Sequence, residues 1–250
     1  MVEHHRQRLT SQDFQMYWDC PYCEEEGQHH DKAAGIERFE GHLFGHVESL
    51  VESGVHVADD IEGTGSILVR TARGSTGLEN AQVHFLSPAD VVLLVTTVPA
   101  ERLRLLHETL REWPAQAVVL TTKSDVLEGV SGIDFSEVSL EIVRLDPQLG
   151  LSELGETISR VIDEYETTPG KLAVGFDILS ELIGKSDLQT LFKFLHILGK
   201  RFERADALAY YHIDPRAQSE AAINVLDQAF DMSITARDHR FVTGSRSGAI

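Results

Sequence analysis

Residues 90–97 read Asp-Val-Val-Leu-Leu-Val-Thr-Thr (DVVLLVTT), an unbroken run of β-branched and apolar side chains. A run of this length is buried on both faces, which marks a central strand of a parallel sheet. On either side of it, Ser66–Arg70 (SILVR), Ala117–Thr121 (AVVLT), Leu172–Phe176 (LAVGF) and Ala207–Ile213 (ALAYYHI) repeat the pattern, and Met232–Ala236 supplies a last strand or edge. Between them lie helical periodicities. Leu78–Leu86 ends at Ser87-Pro88, and Pro99 opens a helix to Leu110. Leu151–Tyr165 stacks Leu154, Ile158, Val161 and Ile162, with Ser152 as its expected cap. Asp187–Arg204 is built on Leu188, Leu191, Phe192, Leu195 and Leu198, and Gln218–Phe230 follows. Strands alternating with helices predict an α/β fold: a mainly parallel sheet covered by helices on both faces.

The chain has 250 residues, 42% hydrophobic and 25% charged, enough apolar material for a sizeable core. No window approaches 18 uninterrupted apolar residues, and the N-terminus has no apolar stretch behind its charges. A membrane span and a secretory leader are therefore not expected, and the expected location is cytoplasmic. Asp plus Glu number 40 against 22 Lys plus Arg, a formal net of −18, and Arg outnumbers Lys 16 to 6. Such a surface repels nucleic-acid phosphates and acidic lipids in ordinary salt. It also resembles the acidic proteins of salt-loving archaea, where the Debye length falls to roughly 3 Å and net charge says little about partners.

The first 66 residues differ from the rest. They hold both cysteines, seven of the twelve histidines, and 14 acidic against 4 basic residues. Cys20-Pro-Tyr-Cys23 is followed, 18 residues later, by His42-Leu-Phe-Gly-His46. A CxxC turn brings two thiolates to one point, and HxxxH on a helix puts two imidazoles on one face. Four such ligands suit tetrahedral zinc. The expected ligands are Cys20, Cys23, His42 and His46, with His29 or His30 as alternative donors. A redox CxxC is the competing reading, although no strong strand precedes Cys20. Free surface cysteines and histidines are the third. Without metal this segment has too little apolar mass to fold alone.

The pattern resembles a two-Cys, two-His zinc finger. Trp18 and Phe39 stand where that family places core aromatics, while the spacer is longer than the usual stretch of about 12 residues. In base-reading fingers, helix positions −1, 3 and 6 touch DNA; here these are Gly35, Arg38 and Gly41, and only Arg38 could reach a base edge. A structural or protein-contact finger is therefore expected, with DNA as the alternative partner.

The order of strands and helices, with the segments GFDILSELI, LFKFLHILGKRF and AYYHIDP, resembles the haloarchaeal KaiC/RecA-like proteins, among them inactivated ATPases and HTR-like proteins. The resemblance covers roughly residues 65–236 and implies a RecA-like sheet. A working phosphate loop of that family reads GxxxxGK[ST], its lysine neutralising phosphate and its hydroxyl holding Mg²⁺. The matching stretch is RTARGSTGLENAQ. Ala72 takes the first glycine position, Gly77 the last, Leu78 the lysine position and Glu79 the hydroxyl position. The water-activating glutamate after the second core strand is replaced by Thr96-Thr97-Val98-Pro99, with Glu101 a turn further on. Asp177 resembles the Mg²⁺-site aspartate of the family, and a strand-end or helix-capping aspartate is its plainer reading. Gly74, Gly77 and Asp177 are the candidate nucleotide contacts. Arg70 and Arg73 could still draw an anion to the Gly74–Gly77 loop.

With lysine, hydroxyl and glutamate all replaced, the expected role is non-enzymatic. The domain then serves as a platform in signalling or transcription control, with a protein partner, zinc as cofactor and ATP not expected. A weak ATPase and a finger-type DNA-binding regulator are the alternatives. Helix starts and turns account for Asp214-Pro215 and Asp231, and core or crevice packing for His196 and His212. The expected boundaries are a flexible 1–15, a zinc module over 16–53, a linker at 54–64, the RecA-like domain over 65–240 and a loose tail over 241–250.

Overall fold

The structure is a computed structural model. It describes residues 16–19, 26–39, 61, 63–87, 89–110, 113–128, 130, 133, 135, 138–165, 170–237 and 240–243. Two compact units divide the chain, residues 1–50 and 51–250.

In the first unit, β1 (Met16–Asp19) and β2 (Glu26–His29) pair antiparallel, Trp18 opposite Gly27. Helix α1 covers residues 32–39. Asp31 caps it, its carboxylate accepting the Ala33 N–H at 3.1 Å. Trp18 is buried against Ile36 and Phe39, with the two aromatic ring centres 5.2 Å apart. A β-carbon on Gly27 would overlap the Trp18 indole, so the hairpin needs glycine there to seat the ring.

The second unit is an eight-stranded sheet. Its strands are β3 (Gly65–Arg70), β4 (Val91–Val95), β5 (Gln116–Thr121), β6 (Leu140–Arg144), β7 (Leu172–Phe176), β8 (Leu208–Ile213), β9 (Met232–Arg237) and β10 (Arg240–Thr243). Their order is β10-β9-β3-β8-β7-β4-β5-β6, parallel throughout except for the β9–β10 hairpin. This is the mainly parallel, doubly covered sheet that the RecA-like resemblance implies.

The helices are α2 (Thr76–Leu86), α3 (Pro99–Thr109), α4 (Leu151–Tyr165), α5 (Leu179–Lys185), α6 (Leu188–Arg204) and α7 (Glu220–Asp227). From β3 to β6 the chain steps one way along the sheet; from β6 to β9 it steps back. Right-handed crossovers then put α2 and α3 on one face and α4 to α7 on the other. Packing agrees. Ala81, Phe85, Leu103 and Leu106 share a core with Val92 and Leu94. Leu154, Ile158, Leu191, Leu195 and Leu226 share the other with Leu93 and Val95. Reversal of direction leaves crevices at the carboxyl ends of β3/β8 and β7/β4, where ligands of open α/β sheets bind.

Three expectations change. Ser152 is inside α4, its hydroxyl turned to Glu156, so it is no cap. The segment after Asp177 is a separate helix, α5, that periodicity did not show. The strand Met232–Ala236 is not the edge: β10 lies outside it and takes up 241–243, residues expected to be loose, because Phe241 packs against Phe85 and His84.

Candidate functional site

Asp177 follows β7 at the β7/β4 crevice and is 3% exposed. Its Oδ2 accepts the Arg102 Nε–H at 2.5 Å and the Gln82 amide at 3.4 Å. Arg102 also donates to Gln82 Oε1 at 3.0 Å, and Gln82 donates to the Tyr210 hydroxyl at 2.9 Å. The four side chains come from α2, α3, the end of β7 and β8, and all are buried. Gly175 makes room for the phenol: a β-carbon there would lie 2.8 Å from the Tyr210 oxygen.

Burial works against the Arg102 charge, but the Asp177 carboxylate outweighs it and holds the guanidinium pKa above its usual value. Burial, with Asp177 beside it, pushes the Tyr210 phenol well up. Asp177 is thus neither a cap nor an open carboxylate; it is the anionic half of a buried ion pair.

In the loop at β3/β8, Thr71, Arg73 and Ser75 are likewise bonded within the protein. Ser75 caps α2, accepting the Leu78 N–H at 3.3 Å, and its hydroxyl meets Thr71 at 2.9 Å. The Arg73 backbone N–H donates to Asp214 Oδ2 at 3.0 Å, and the Arg73 guanidinium pairs with Glu181 at 2.5 Å. Arg70 pairs with Asp227 at 2.6 Å. Both arginines expected to draw an anion therefore already face carboxylates. Asp214 is held below its ordinary range, first by hydrogen bonds from Arg216 and against the cost of burial.

Leu78, at the lysine position, is fully buried in the core, and Glu79 is exposed. Gly74 has φ +69°, the left-handed conformation that favours glycine. Gly77 lies against the backbone of β9, where a β-carbon would sit 2.7 Å from the Ala236 carbonyl oxygen. His212 is buried, its Nε2–H donating to the Thr71 carbonyl at 3.0 Å, and desolvation lowers its pKa. His196, expected in core or crevice, is instead exposed on α6 beside Phe192.

Sequence reasoning missed Arg102, Gln82 and Tyr210. The signal was present for two of them. Arg102 falls on the Pro99–Leu103–Leu106 stripe and Gln82 on the Leu78–Phe85 stripe, where a polar residue must find a buried partner. The expected zinc ligands Cys20, Cys23, His42 and His46 lie outside the described residues. What surrounds them is a hairpin whose two strands flank the CxxC in sequence, then a helix ending in the described residues three short of His42. Arg38 is exposed on that helix.

The geometry defines an α/β protein with a mainly parallel sheet, in which both arginines near the phosphate-loop position pair with carboxylates of the protein. The chain belongs to a family of unknown function, DUF7504, whose model matches residues 64–236. No curated protein matches it. Among solved structures it is similar to a Pyrococcus horikoshii OT3 protein from a structural project, with 12% identity over 75% of this chain and 88% of that one, TM-score 0.47. It is also similar to the flagellar accessory protein FlaH of Methanocaldococcus jannaschii, with 14% identity over 68% of this chain and 70% of that one, TM-score 0.39. No helix among the described residues is long and apolar enough to cross a membrane.

Proposed function

We propose that this chain is a non-enzymatic regulatory or adaptor protein, whose RecA-like domain is an interaction platform and whose N-terminal segment holds a structural zinc. One observation carries the reading of the domain: the carboxylate that resembles the Mg²⁺ ligand is buried on Arg102 and Gln82. A divalent ion would meet a carboxylate whose Oδ2 is already held by a guanidinium and whose Oδ1 is closed off from water. In support, Leu78 offers no charge to a phosphate, and the loop amide of Arg73 is spent on Asp214.

The test is thermal unfolding with millimolar Mg·ATP. A ligand at a hundred times its dissociation constant stabilises by about 2.7 kcal/mol, a shift of several degrees. The expected result is no shift at all. A saturable, Mg²⁺-dependent rise would return the domain to the nucleotide-binding class.

For the first unit, the support is the hairpin followed by a helix, with Trp18 against Phe39 as its small core. That core is too small to hold the fold alone, and zinc on Cys20, Cys23, His42 and His46 would supply the rest. Metal analysis of the purified protein is expected to give one zinc per chain, lost in Cys20→Ser. Zinc well below one per chain, unchanged by that substitution, removes the metal from this reading.

A further inference from the structure

Most of this acidic chain offers a like-charged surface to any copy of itself. Helix α6 is a basic exception, and it lies beside the acidic α4. Helix α6 carries Lys193, Lys200, Arg201 and Arg204 against Glu203, a net of 4 − 1 = +3. Helix α4 carries Glu153, Glu156, Asp163 and Glu164 against Arg160, a net of 1 − 4 = −3. The two helices pack side by side, joined by Asp163 and Arg201. Both connect parallel strands back across the same face, so they run in the same direction.

Between them lies an open groove of about 450 Å³, with Gly155, Phe194 and Leu198 in its lining. Gly155 keeps it open, since a β-carbon there would come 3.3 Å from the Phe194 ring. At its edge stands Ile197, 71% exposed and the most exposed large apolar residue among those described. Lys193 and Arg201 flank it one helical turn either way.

We propose that the α4–α6 face is the interface of a two-fold homodimer. An isologous contact needs a surface complementary to itself. Equal and opposite charge on neighbouring helices meets that need: the rotation lays the basic α6 of each copy over the acidic α4 of the other. Ile197 of each copy then has an apolar groove to enter, which gives the contact a desolvated centre inside a charged rim. A merely acidic partner would explain α6 but not the adjoining −3 of α4. The inference is independent of whether nucleotide or zinc is bound.

The experiment is sedimentation equilibrium on the full chain at about 50 µM, well above a micromolar dissociation constant. The expected mass is twice the 27.8 kDa of one chain. Ile197→Glu should weaken the dimer about tenfold or more while leaving the melting temperature of the monomer unchanged, because the side chain is exposed. Two further variants test the geometry. One makes α4 basic (Glu153→Lys, Glu156→Lys) and the other makes α6 acidic (Lys193→Glu, Arg204→Glu). Each alone should be monomeric at low salt. Mixed, they should form a heterodimer, since every α4–α6 contact across the two-fold is again opposite in sign. A monomeric wild type, or a dimer indifferent to Ile197→Glu and to both charge variants, overturns the proposal.

Discussion

Replacing Arg102 with leucine is expected to lower folding stability by about 3–5 kcal/mol, the cost of stranding a buried charge. The Asp177 carboxylate, 3% exposed, would lose its closest partner and its one cationic one, and keep neutral neighbours such as Gln82 at 3.4 Å. Asp177→Leu should cost a similar amount, by stranding the guanidinium instead. The double variant Arg102→Leu/Asp177→Leu should recover a large part of the loss. With both charges gone the apolar side chains lie beside the α2–α3 core, and replacing a buried pair by hydrophobic groups is often neutral. Recovery will be incomplete, because the Gln82 oxygen loses the Arg102 donor. Urea unfolding of the four proteins gives the coupling directly. The measurement also bears on function. A carboxylate kept open for a metal ion is relieved when neutralised, so Asp177→Asn would be near neutral or stabilising. Here Asp177→Asn should be strongly destabilising, because the Arg102 charge stays behind. Additive single and double variants, or a stable Asp177→Asn, would show that the carboxylate does not depend on the arginine.

The fold was legible because its central strands are buried on both faces and so have no polar alternation to confuse them. DVVLLVTT and AVVLT fall within a residue or two of β4 and β5. Helix α6 was legible to within one residue, since its apolar stripe is regular over seventeen residues; Asp187, expected as its first residue, is its cap, accepting the Thr190 N–H at 2.9 Å. Helix α5 was not: at seven residues it is too short to show a period against the strand before it. Strand β10 was hidden for a different reason. A strand of four residues at a sheet edge has its identity decided by what Phe241 touches, and no local pattern carries that. At the site, the missing lysine and hydroxyl could be read letter by letter, and Asp177 was singled out correctly as a strand-end carboxylate. Its partner could not be read, because Arg102 is 75 residues away and the contact exists only once α3 has crossed the sheet. Buried pairs between distant elements are the class of feature that periodicity cannot reach, although a charge on an apolar stripe says that one is needed.

Gly77 gives the second large effect, and its sign separates two accounts of the same glycine. If its purpose is to let a loop wrap phosphate, its replacement by alanine in the ligand-free protein should be mild. Gly77 is the second residue of α2, where helix propensity alone favours alanine by up to about 1 kcal/mol. The packing argues the other way. The new β-carbon would lie 2.7 Å from the Ala236 oxygen, 2.9 Å from its carbonyl carbon and 3.2 Å from the Arg237 nitrogen, all backbone atoms of β9. A side chain can rotate away; a strand held between β3 and β10 cannot. Either α2 lifts off the sheet or β9 shifts against β3, and overpacking of this kind costs about 1–3 kcal/mol. Net destabilisation of Gly77→Ala by about 1–2 kcal/mol is therefore expected without any ligand present. Gly184→Ala is the matching control in α5. A β-carbon there meets nothing within 4 Å, so propensity acts unopposed and the variant should be slightly more stable than the parent. If both alanine variants gain stability, β9 yields to the methyl group and the glycine is not there for packing. If only Gly77→Ala loses it, the last glycine of the degenerate loop is a contact between helix and sheet, held by the fold whether or not a phosphate ever binds.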